Sequence, residues 1–374
     1  MYNPSVCLKS TYIIVDNGSK FSKVGFSQDK LPKFVFETVL GRKPTKGIIL
    51  NKSNEYYVGE EAQNIRRYLD LRYPIEHGII VNWDDMEKIW EYTFYDKLSV
   101  NPEEHTVTIT EAPQQRKDYQ ERILQLLFET YKVPNLYINN QASLSLYASG
   151  RKTGLIIDSG HTSTYVVPVQ NGHVIRDAIY RMDLAGRDMT DYIKHLIYKR
   201  YNSSSSYIDT EIIRIIKEKL CYVALDFEKE HLSQSNEKYF MLPDGKSIAI
   251  GTESFMAPES LFQPSILGYD INGLDNNIWL SLKKCSSDIQ KDLCANIVLS
   301  GGSTMIHGIE ERLRKELSIL LPSPLKINMI TPSNRQYSAW IGGSILASLS
   351  TFHNMCVSKE EYDEFGENII KKFT

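Results

Sequence analysis

The fold is decided by a short pattern that occurs twice: Ile-Val-Asp-Asn-Gly-Ser at residues 14–19 and Ile-Ile-Asp-Ser-Gly-His at residues 156–161. Each copy is an apolar strand that ends in an aspartate, followed by a small polar residue, a glycine and a second apolar strand. Two interpretations are open, a duplicated hairpin or two unrelated hairpins, since Asp-x-Gly turns are common. If the hairpin is duplicated, the chain contains two related lobes.

A third glycine turn, Ser-Gly-Gly-Ser-Thr at residues 300–304, lies between a predicted strand at 297–299 and a predicted helix at 309–321. Glycine turns and helix N-termini can bind anions, because their N–H groups are accessible and no Cβ blocks the approach. Asp16 and Asp158 at the strand ends have the chemistry of ligands to hydrated Mg²⁺. Together the three turns predict a nucleotide cleft with magnesium between two duplicated lobes.

Composition is that of an ordinary globular protein. The chain has 374 residues, of which 42% are hydrophobic and 24% charged, enough for two or more lobes. Lys and Arg number 43 against 46 Asp and Glu, so no overall basic field attracts nucleic acid or anionic lipid, and we expect no direct nucleic-acid contact. No cationic segment with a following apolar run begins the sequence, so we expect neither a signal peptide nor a membrane span.

The cysteines are odd in number, far apart and free of two-residue spacing, which predicts reduced intracellular thiols and no zinc site. They are Cys7, Cys221, Cys285, Cys294 and Cys356.

Apolar periodicity predicts strands at 12–15, 106–110, 155–157, 165–169 and 297–299. It predicts helices at 114–131, 188–201 and 209–230. This alternation indicates an α/β protein.

Longer blocks carry a specific resemblance: 73–80, 82–90, 144–151, 183–188, 216–228 and 340–352. In these blocks the chain resembles the actin family of actins and actin-related proteins, over essentially its whole length. The resemblance implies the α/β ATPase fold shared with sugar kinases and heat-shock 70 chaperones, with two duplicated lobes, four subdomains and a central cleft for ATP or ADP with Mg²⁺. It places subdomain 1 of the outer lobe at 1–37, 74–148 and 338–374, and subdomain 2 at 38–73. Subdomain 3 of the inner lobe is at 149–184 and 270–337, and subdomain 4 is at 185–269.

The resemblance also implies site residues. Asp16 and Asp158 match the pair that holds the metal through water, and Gln141 matches the glutamine that positions the attacking water. Positions that match nucleotide contacts are Ser19, Lys20, Phe21, Lys23, Gly160, Gly186, Arg214, Lys217, Glu218, Gly302, Ser303 and Met305. Arg214, Lys217 and Glu218 also have the spacing of a solvated helix face. The resemblance favours binding for Lys217 and Glu218 as a pair.

Several positions depart from the family pattern. Lys20 replaces a glycine, and its side chain either neutralises phosphate or crowds the turn. His161 and Thr162 replace an aspartate and a glycine, and Tyr165 replaces the histidine that helps to organise the water. A phenol with a pKa near ~10 substitutes poorly for an imidazole. We therefore predict that nucleotide and metal still bind while hydrolysis is slowed.

The surfaces that serve assembly in this family are retained unevenly. An apolar groove for amphipathic helices of actin-binding proteins is matched by Tyr147, Gly150, Leu346, Leu349, Thr351 and Met355. Core packing is the alternative role for Leu346 and Leu349. The loop at 41–59 keeps an apolar tip, and the plug loop keeps 263–268. The N-terminus, 1–9, has no acidic residue, so recruitment of conventional myosin is not expected.

Two functions of different class follow. The first is a divergent actin-like cytoskeletal protein, a weak ATPase that assembles with itself or with conventional actin, in the cytoplasm and cytoskeleton. The second is a structural subunit of a motor-adaptor, ciliary or chromatin-remodelling complex with little or no ATPase activity, which leaves the nucleus and the cilium open as compartments. A small-molecule kinase on the same fold is disfavoured, because sugar binding does not need the surface blocks that match actin.

Overall fold

The computed structural model describes residues 12–44, 55–201, 208–233, 237–322 and 325–373. These form two compact units. Unit 1 comprises the described parts of 1–148 and 337–374, and unit 2 comprises those of 149–336. The subdivision into four subdomains stays a prediction.

The strands are β1 Ile13–Asn17, β2 Phe21–Phe26, β3 Phe34–Glu37, β4 Leu40–Arg42, β5 Tyr56–Val58, β6 Asp70–Arg72, β7 Ile75–Glu76, β8 Ile79–Ile80, β9 Val107–Glu111, β10 Asn135–Asn140, β11 Gly154–Ser159, β12 Thr164–Gln170, β13 His173–Val174, β14 Tyr180–Met182, β15 Lys238–Met241, β16 Ser247–Ile250, β17 Ile297–Ser300, β18 Met329–Ile330 and β19 Val357–Ser358.

The α-helices are α1 Glu60–Asn64, α2 Trp83–Glu91, α3 Lys117–Gln125, α4 Gln141–Ala148, α5 Gly186–Arg200, α6 Thr210–Leu220, α7 Phe227–Leu232, α8 Glu253–Glu259, α9 Leu274–Lys283, α10 Ser287–Cys294, α11 Ile309–Leu320, α12 Ser338–Ala347 and α13 Lys359–Phe365. Short π-helical segments, Tyr92–Leu98 and Leu126–Thr130, follow α2 and α3.

The two units contain sheets of the same topology. In unit 1 the strand order is β19-β10-β9-β1-β2-β3, with β1 antiparallel to β2 and parallel to β9. In unit 2 the order is β13-β12-β11-β17-β18, with β14 also paired to β12, and β11 is antiparallel to β12 and parallel to β17. Strands β10 and β18 extend each sheet in parallel. The two hairpins are therefore equivalent, and the predicted duplicated α/β fold is confirmed.

Apolar residues on both faces explain why β1 lies in the middle of its sheet. Ile13 and Val15 pack into a cluster on one face, whereas Ile14 packs with Leu144 and Trp340 on the other, and all are fully buried. A strand with helices on both faces needs such a continuous apolar run. The Trp340 indole also donates a hydrogen bond to the Ile14 carbonyl at 3.1 Å.

One predicted helix was wrong in extent. The segment 209–230 forms two helices, because the chain leaves helical geometry at Cys221. Tyr222 N then donates to Ser254 O, and Val223 N donates to His307 O. These tertiary hydrogen bonds outweigh the local helical pattern. The other predicted helices begin and end within a few residues of α3, α5 and α11.

Helix α12 lies directly on α4 because Gly342 has no side chain. A Cβ at Gly342 would lie 1.8 Å from the Leu144 carbonyl oxygen. A Cβ at the neighbouring Gly343 would meet the Ile14 side chain at 3.1 Å, which is a much milder contact. Since α4 begins at Gln141, the close packing of these helices also positions a predicted site residue.

We expect Gly342→Ala to push α12 away from α4 and to lower the melting temperature by roughly 5–10 °C, as for overpacked cores. Gly343→Ala is the matched control, because both variants gain the same helix propensity. It should change the melting temperature far less, since its Cβ meets only the Ile14 side chain at 3.1 Å. Differential scanning calorimetry of both variants measures this. Equal melting temperatures for the two variants would contradict the packing argument.

Candidate functional site

Asp16 lies at the carboxyl end of β1 and is 2% exposed. Its Oδ1 accepts hydrogen bonds from Thr110 Oγ1 at 2.6 Å and from Gln141 Nε2 at 3.0 Å. Its Oδ2 accepts a hydrogen bond from Lys23 Nζ at 2.9 Å. A carboxylate has about four acceptor positions, so Asp16 can accept one more bond, such as that of a metal-bound water.

The first turn, residues 17–21, is tight. Gly18 N donates to Phe21 O at 3.0 Å, and a Cβ on Gly18 would lie 2.9 Å from that same oxygen. The position therefore requires a glycine. Asn17 Oδ1 accepts a hydrogen bond from the indole of buried Trp90 at 2.9 Å, which ties the turn to the core of unit 1.

Lys20, in the same turn, is 5% exposed. Its ammonium forms an ion pair with Glu37 Oε2 at 3.0 Å. The side chain is thus paired with a carboxylate at the end of β3, and its role toward phosphate stays a prediction. The charges of Asp16, Lys20, Lys23 and Glu37 sum to zero, so these side chains attract an anion only weakly at long range.

In unit 2 the second turn, residues 159–163, lies against the start of α5. Gly186 N donates to Gly160 O at 3.3 Å, and Ser303 Oγ donates to the same oxygen at 2.6 Å. A Cβ on Gly186 would lie 2.7 Å from Ser303 Oγ and 3.3 Å from Lys217 Nζ. Gly160, Gly186, Ser303 and Lys217, all predicted from the sequence, therefore lie together.

The glycine pair of the third turn lies beside Asp158. Gly301 has a φ of 85°, and a Cβ there would lie 2.2 Å from Ser159 O and 2.8 Å from Asp158 Oδ1. A Cβ on Gly302 would meet no atom of the described residues within 4 Å. The backbone of the third turn thus approaches the Asp158 carboxylate and leaves open space at Gly302.

Tyr165 is opposite Asp158 in the β11–β12 hairpin, as Lys23 is opposite Asp16 in unit 1. It is 3% exposed, and burial raises the pKa of its phenol. The Arg181 guanidinium lies 5.9 Å from the centre of the ring. A phenol with a raised pKa stays protonated and cannot accept a proton near neutral pH.

The other departures in the second turn are built into the backbone. Gly160 N donates to Ser163 O at 3.0 Å, which closes the turn. His161 O accepts a hydrogen bond from Arg187 N at 2.6 Å, and Thr162 is 3% exposed. The turn therefore supports the beginning of α5 as well as the end of β11.

The predicted wall on α6 divides into two parts. Arg214 forms ion pairs with Glu211 and Glu218 on its own helix, as the solvated-face interpretation expects. Lys217 is 5% exposed and donates to Gly186 O at 2.7 Å and to Thr190 Oγ1 at 3.0 Å. Lys217 and Glu218 thus contact different partners, and a joint binding role stays a prediction.

Each unit by itself contains donors whose chemistry suits a hydrated magnesium nucleotide. The equivalent strands β1 and β11 each have a carboxylate near the carboxyl end. Position 186 has no room for a Cβ, and open space lies at Gly302. Among the described residues, no three or more His, Cys, Asp or Glu side chains are grouped to hold a metal ion directly. One or two carboxylates with retained waters are the arrangement that Mg²⁺ prefers.

A protein-family model described as Actin matches residues 7–374. The chain belongs to the actin family. Proteins of this family generally bind a nucleotide and a divalent metal ion, which agrees with the carboxylates and glycine turns of both units.

In this actin-family chain the residues of the predicted groove differ in exposure. Leu346 is buried with Trp340, whereas Leu349 is 50% exposed and Met355 is 37% exposed. Tyr147 packs at the edge of the same cluster. Thr351 is exposed, and Gly150 belongs to unit 2. Leu346 therefore has the core role, and Leu349 and Met355 are the side chains accessible to a partner.

Two expectations fall on residues outside the described ranges: those on the N-terminus with Cys7 and on the tip of the loop at 41–59. The remaining cysteines are buried and free. No α-helix in the described part of the chain is long and apolar enough to cross a membrane.

Sequence reasoning missed three partners of the site. Thr110 could have been found, since it ends a predicted strand and the carboxyl ends of parallel strands meet at one edge. Glu37 depends on the register between β2 and β3, for which the sequence carries no signal. Thr190 lies one turn after Gly186 on α5 and accepts a hydrogen bond from Lys217. The sequence predicts that Lys217 contacts either solvent or the nucleotide, so it does not point to Thr190.

Lys217 provides a pH-dependent test of the unit 2 site. Burial lowers the pKa of Lys217 from 10.5 to about 8. Between these values the unfolded chain binds more protons than the folded chain, so the free energy of unfolding rises with pH. Lys217→Met should remove this contribution. Between pH 7.5 and pH 9.5, the free energy of unfolding of the variant should rise by about 2 kcal/mol less than that of the wild type.

Urea unfolding followed by circular dichroism at both pH values measures the difference. Lys219→Met, on the exposed side of the same helix, is the control and should keep the wild-type slope. A variant at position 217 with the wild-type slope would show that the buried ammonium does not control stability.

Proposed function

We propose that this chain is a divergent actin-like cytoskeletal protein that binds ATP or ADP with Mg²⁺, hydrolyses ATP slowly, and assembles into or onto actin-type filaments. One observation carries the proposal. The turns that follow β1 and β11 occupy equivalent positions in their sheets. In each hairpin an aspartate, Asp16 or Asp158, is the last residue but one of the first strand, and a glycine follows two residues later. Such repeated turns suit a polyphosphate with a hydrated cation.

The residues have separate roles in this proposal. Asp16 and Asp158 would hold the hydrated metal ion, which would supply charge neutralisation for the phosphates. Gly160, Gly186, Gly302 and Ser303 bring backbone close to the ligand. Ser19, Phe21, Lys23, Arg214, Lys217, Glu218 and Met305 remain the proposed further contacts.

Hydrolysis needs a positioned water and a route for its proton. Gln141 is held by the bond between its amide nitrogen and Asp16, so its side-chain oxygen can orient a water. Tyr165 is buried with a raised pKa and cannot take up the proton. Loss of an acid-base partner typically costs about 10² to 10⁴ in rate, so we infer slow turnover.

Assembly is proposed from the accessible apolar side chains. Leu349 and Met355 on unit 1 are exposed, which suits the apolar face of an amphipathic helix from an actin-binding protein. Tyr269 and Ile271, after the plug loop, are 44% and 49% exposed. We propose a second copy of the chain or conventional actin as the assembly partner, in the cytoplasm and cytoskeleton.

A second function is a structural subunit of a larger complex, with little or no ATPase activity. Its supporting observation is the chemistry of two departures. Tyr165 is buried, and Lys20 is paired with Glu37. We infer that the buried phenol would weaken catalysis more than folding, so a bound nucleotide would stabilise the protein without being turned over.

Nucleotide binding is tested with Asp158→Asn, which removes the charge of a half-buried carboxylate at nearly constant volume. Mg-ATP should raise the melting temperature of the wild type, because a ligand that binds only the folded state stabilises it. The variant should lose most of this rise. Asp288→Asn, on the exposed start of α10, is the control and should keep it. An equal rise in both variants would refute the assigned metal role.

Slow hydrolysis is tested by single-turnover assays with radiolabelled ATP at saturating Mg²⁺. Tyr165→His should recover only part of the difference in the rate of phosphate release from conventional actin, because the effects of residues that act as a unit are not additive. The combined variant Lys20→Gly, His161→Asp, Thr162→Gly and Tyr165→His should raise it further. If the wild type already matches conventional actin measured alongside, the proposal of slowed turnover is wrong.

A further inference from the structure

Arg335 contacts both ends of the third turn, the glycine turn of unit 2 at residues 300–304. Its main-chain oxygen accepts a hydrogen bond from Gly301 N at 3.2 Å. Its guanidinium donates to the main-chain oxygen of Thr304 from Nη2 at 2.6 Å and from Nε at 3.2 Å. Nε also donates to Thr304 Oγ1 at 3.1 Å. One residue therefore holds the turn at its first glycine and at its last residue.

The guanidinium of Arg335 donates to a protein oxygen from each of its three nitrogens. Besides the two nitrogens that contact Thr304, Nη1 donates to the Pro332 carbonyl oxygen at 3.1 Å. The Arg335 main-chain nitrogen donates to the same oxygen at 3.2 Å. A guanidinium is a planar fork whose donors point in fixed directions, whereas a lysine side chain has a single nitrogen. Only an arginine can make this set of bonds at once.

The third turn depends on such support because two of its residues are glycines. Gly301 has a φ of 85°, and a Cβ on Gly302 would meet no atom of the described residues within 4 Å. Glycine loses more backbone freedom on ordering than any other residue, so this turn is costly to hold in one conformation. Thr304 is fully buried, and its hydroxyl donates to Gly301 O at 2.7 Å. Arg335 therefore binds the residue that closes the turn.

A change in the third turn would also reach the second turn, residues 159–163. Ser303 Oγ donates to Gly160 O at 2.6 Å. Both residues are proposed nucleotide contacts. Removal of the bonds from Arg335 would thus loosen proposed contacts in two turns at once, although Arg335 itself belongs to neither.

We propose that Arg335 is a positioning residue of the nucleotide site: its guanidinium holds the third turn in the conformation that binds the nucleotide. The inference rests on the proposed function, because the turn belongs to the proposed site. The alternative role for an arginine at such a site is to attract phosphate by its charge. Each side-chain nitrogen of Arg335 donates to a protein oxygen, which favours positioning. The two roles differ in whether a lysine can replace the arginine.

Arg335→Lys keeps the positive charge and removes the fork. Mg-ATP should then bind about tenfold more weakly, a loss that is typical when a partner of the direct ligands of a site is removed. Arg335→Met should lose about as much. Because the lysine variant keeps its attraction to phosphate, its deficit should be the same at low and at high salt.

Arg314→Met is the matched control. Arg314, on α11, donates to Ile327 O at 3.2 Å and pairs with Glu310 at 2.9 Å. It therefore also binds a main-chain oxygen, but these partners lie outside the third turn. The control loses one positive charge, as Arg335→Met does, and should bind Mg-ATP as the wild type does.

Thr304→Val tests whether Arg335 acts through the turn. It removes the hydroxyl that accepts a bond from Nε and donates to Gly301 O. If Arg335 acts through Thr304, the double variant Arg335→Met with Thr304→Val should bind little more weakly than the weaker of the two single variants. Independent roles would instead multiply the two losses, because effects at uncoupled positions add in free energy.

Isothermal titration with Mg-ATP at low and at high salt measures the affinities of the wild type and the variants, at a temperature well below the melting temperature of each. Circular dichroism checks that each variant is folded. If Arg335→Met does not fold, Arg335→Lys and its combination with Thr304→Val decide, since lysine keeps the charge and most of the length of the side chain.

A folded Arg335→Lys with the wild-type affinity would overturn the inference, even with a lowered melting temperature, because charge alone or a merely structural role would then be sufficient. Losses that multiply in the double variant would overturn it as well. Both outcomes leave the proposed function standing. If the wild type fails to bind Mg-ATP, the proposed function itself fails and the inference falls with it.

Discussion

The buried carboxylate of Asp16 is the constraint on which the site of unit 1 depends. A charge at 2% exposure is tolerated only when its oxygens are hydrogen-bonded, and Asp16 meets this need with Thr110, Gln141 and Lys23. These partners come from β9, α4 and β2. One side chain therefore fixes the end of the central strand, the start of a helix and the second strand of the hairpin, and the glutamine that would orient water is held by the same bonds.

Unit 2 repeats the topology but satisfies its polar groups differently. Asp158 lies half-buried against the backbone of Gly301, and the residue opposite it is a buried phenol rather than a lysine. Lys217 contributes its ammonium to Gly186 and Thr190 instead of to a carboxylate. The duplicated strands thus provide similar turns, while side chains give each turn its own electrostatics. In the proposed function, this asymmetry is what would allow nucleotide binding to be kept while hydrolysis is slowed.

Much of the fold could be predicted from sequence, because buried strands such as 13–17 and 154–159 carry continuous apolar runs that end at an Asp-x-Gly turn. The resemblance to the actin family also predicted that Gly160, Gly186 and Ser303 belong to one site. The break at Cys221 could not be predicted, since it depends on hydrogen bonds to Ser254 and His307 far along the chain. The Lys20–Glu37 pair was hidden for the same reason: it follows from strand register and not from local pattern.

The most direct test of the account is the state of the nucleotide after assembly. The full chain is incubated with Mg-ATP, alone and with conventional actin, and sedimented. The nucleotide in the pellet is then extracted with acid and separated by chromatography. The account predicts that the chain sediments in at least one condition and carries nucleotide that is still mostly ATP when actin treated in parallel carries mostly ADP. A pellet whose nucleotide is converted to ADP as fast as that of actin, or a sedimented chain without nucleotide, would contradict it.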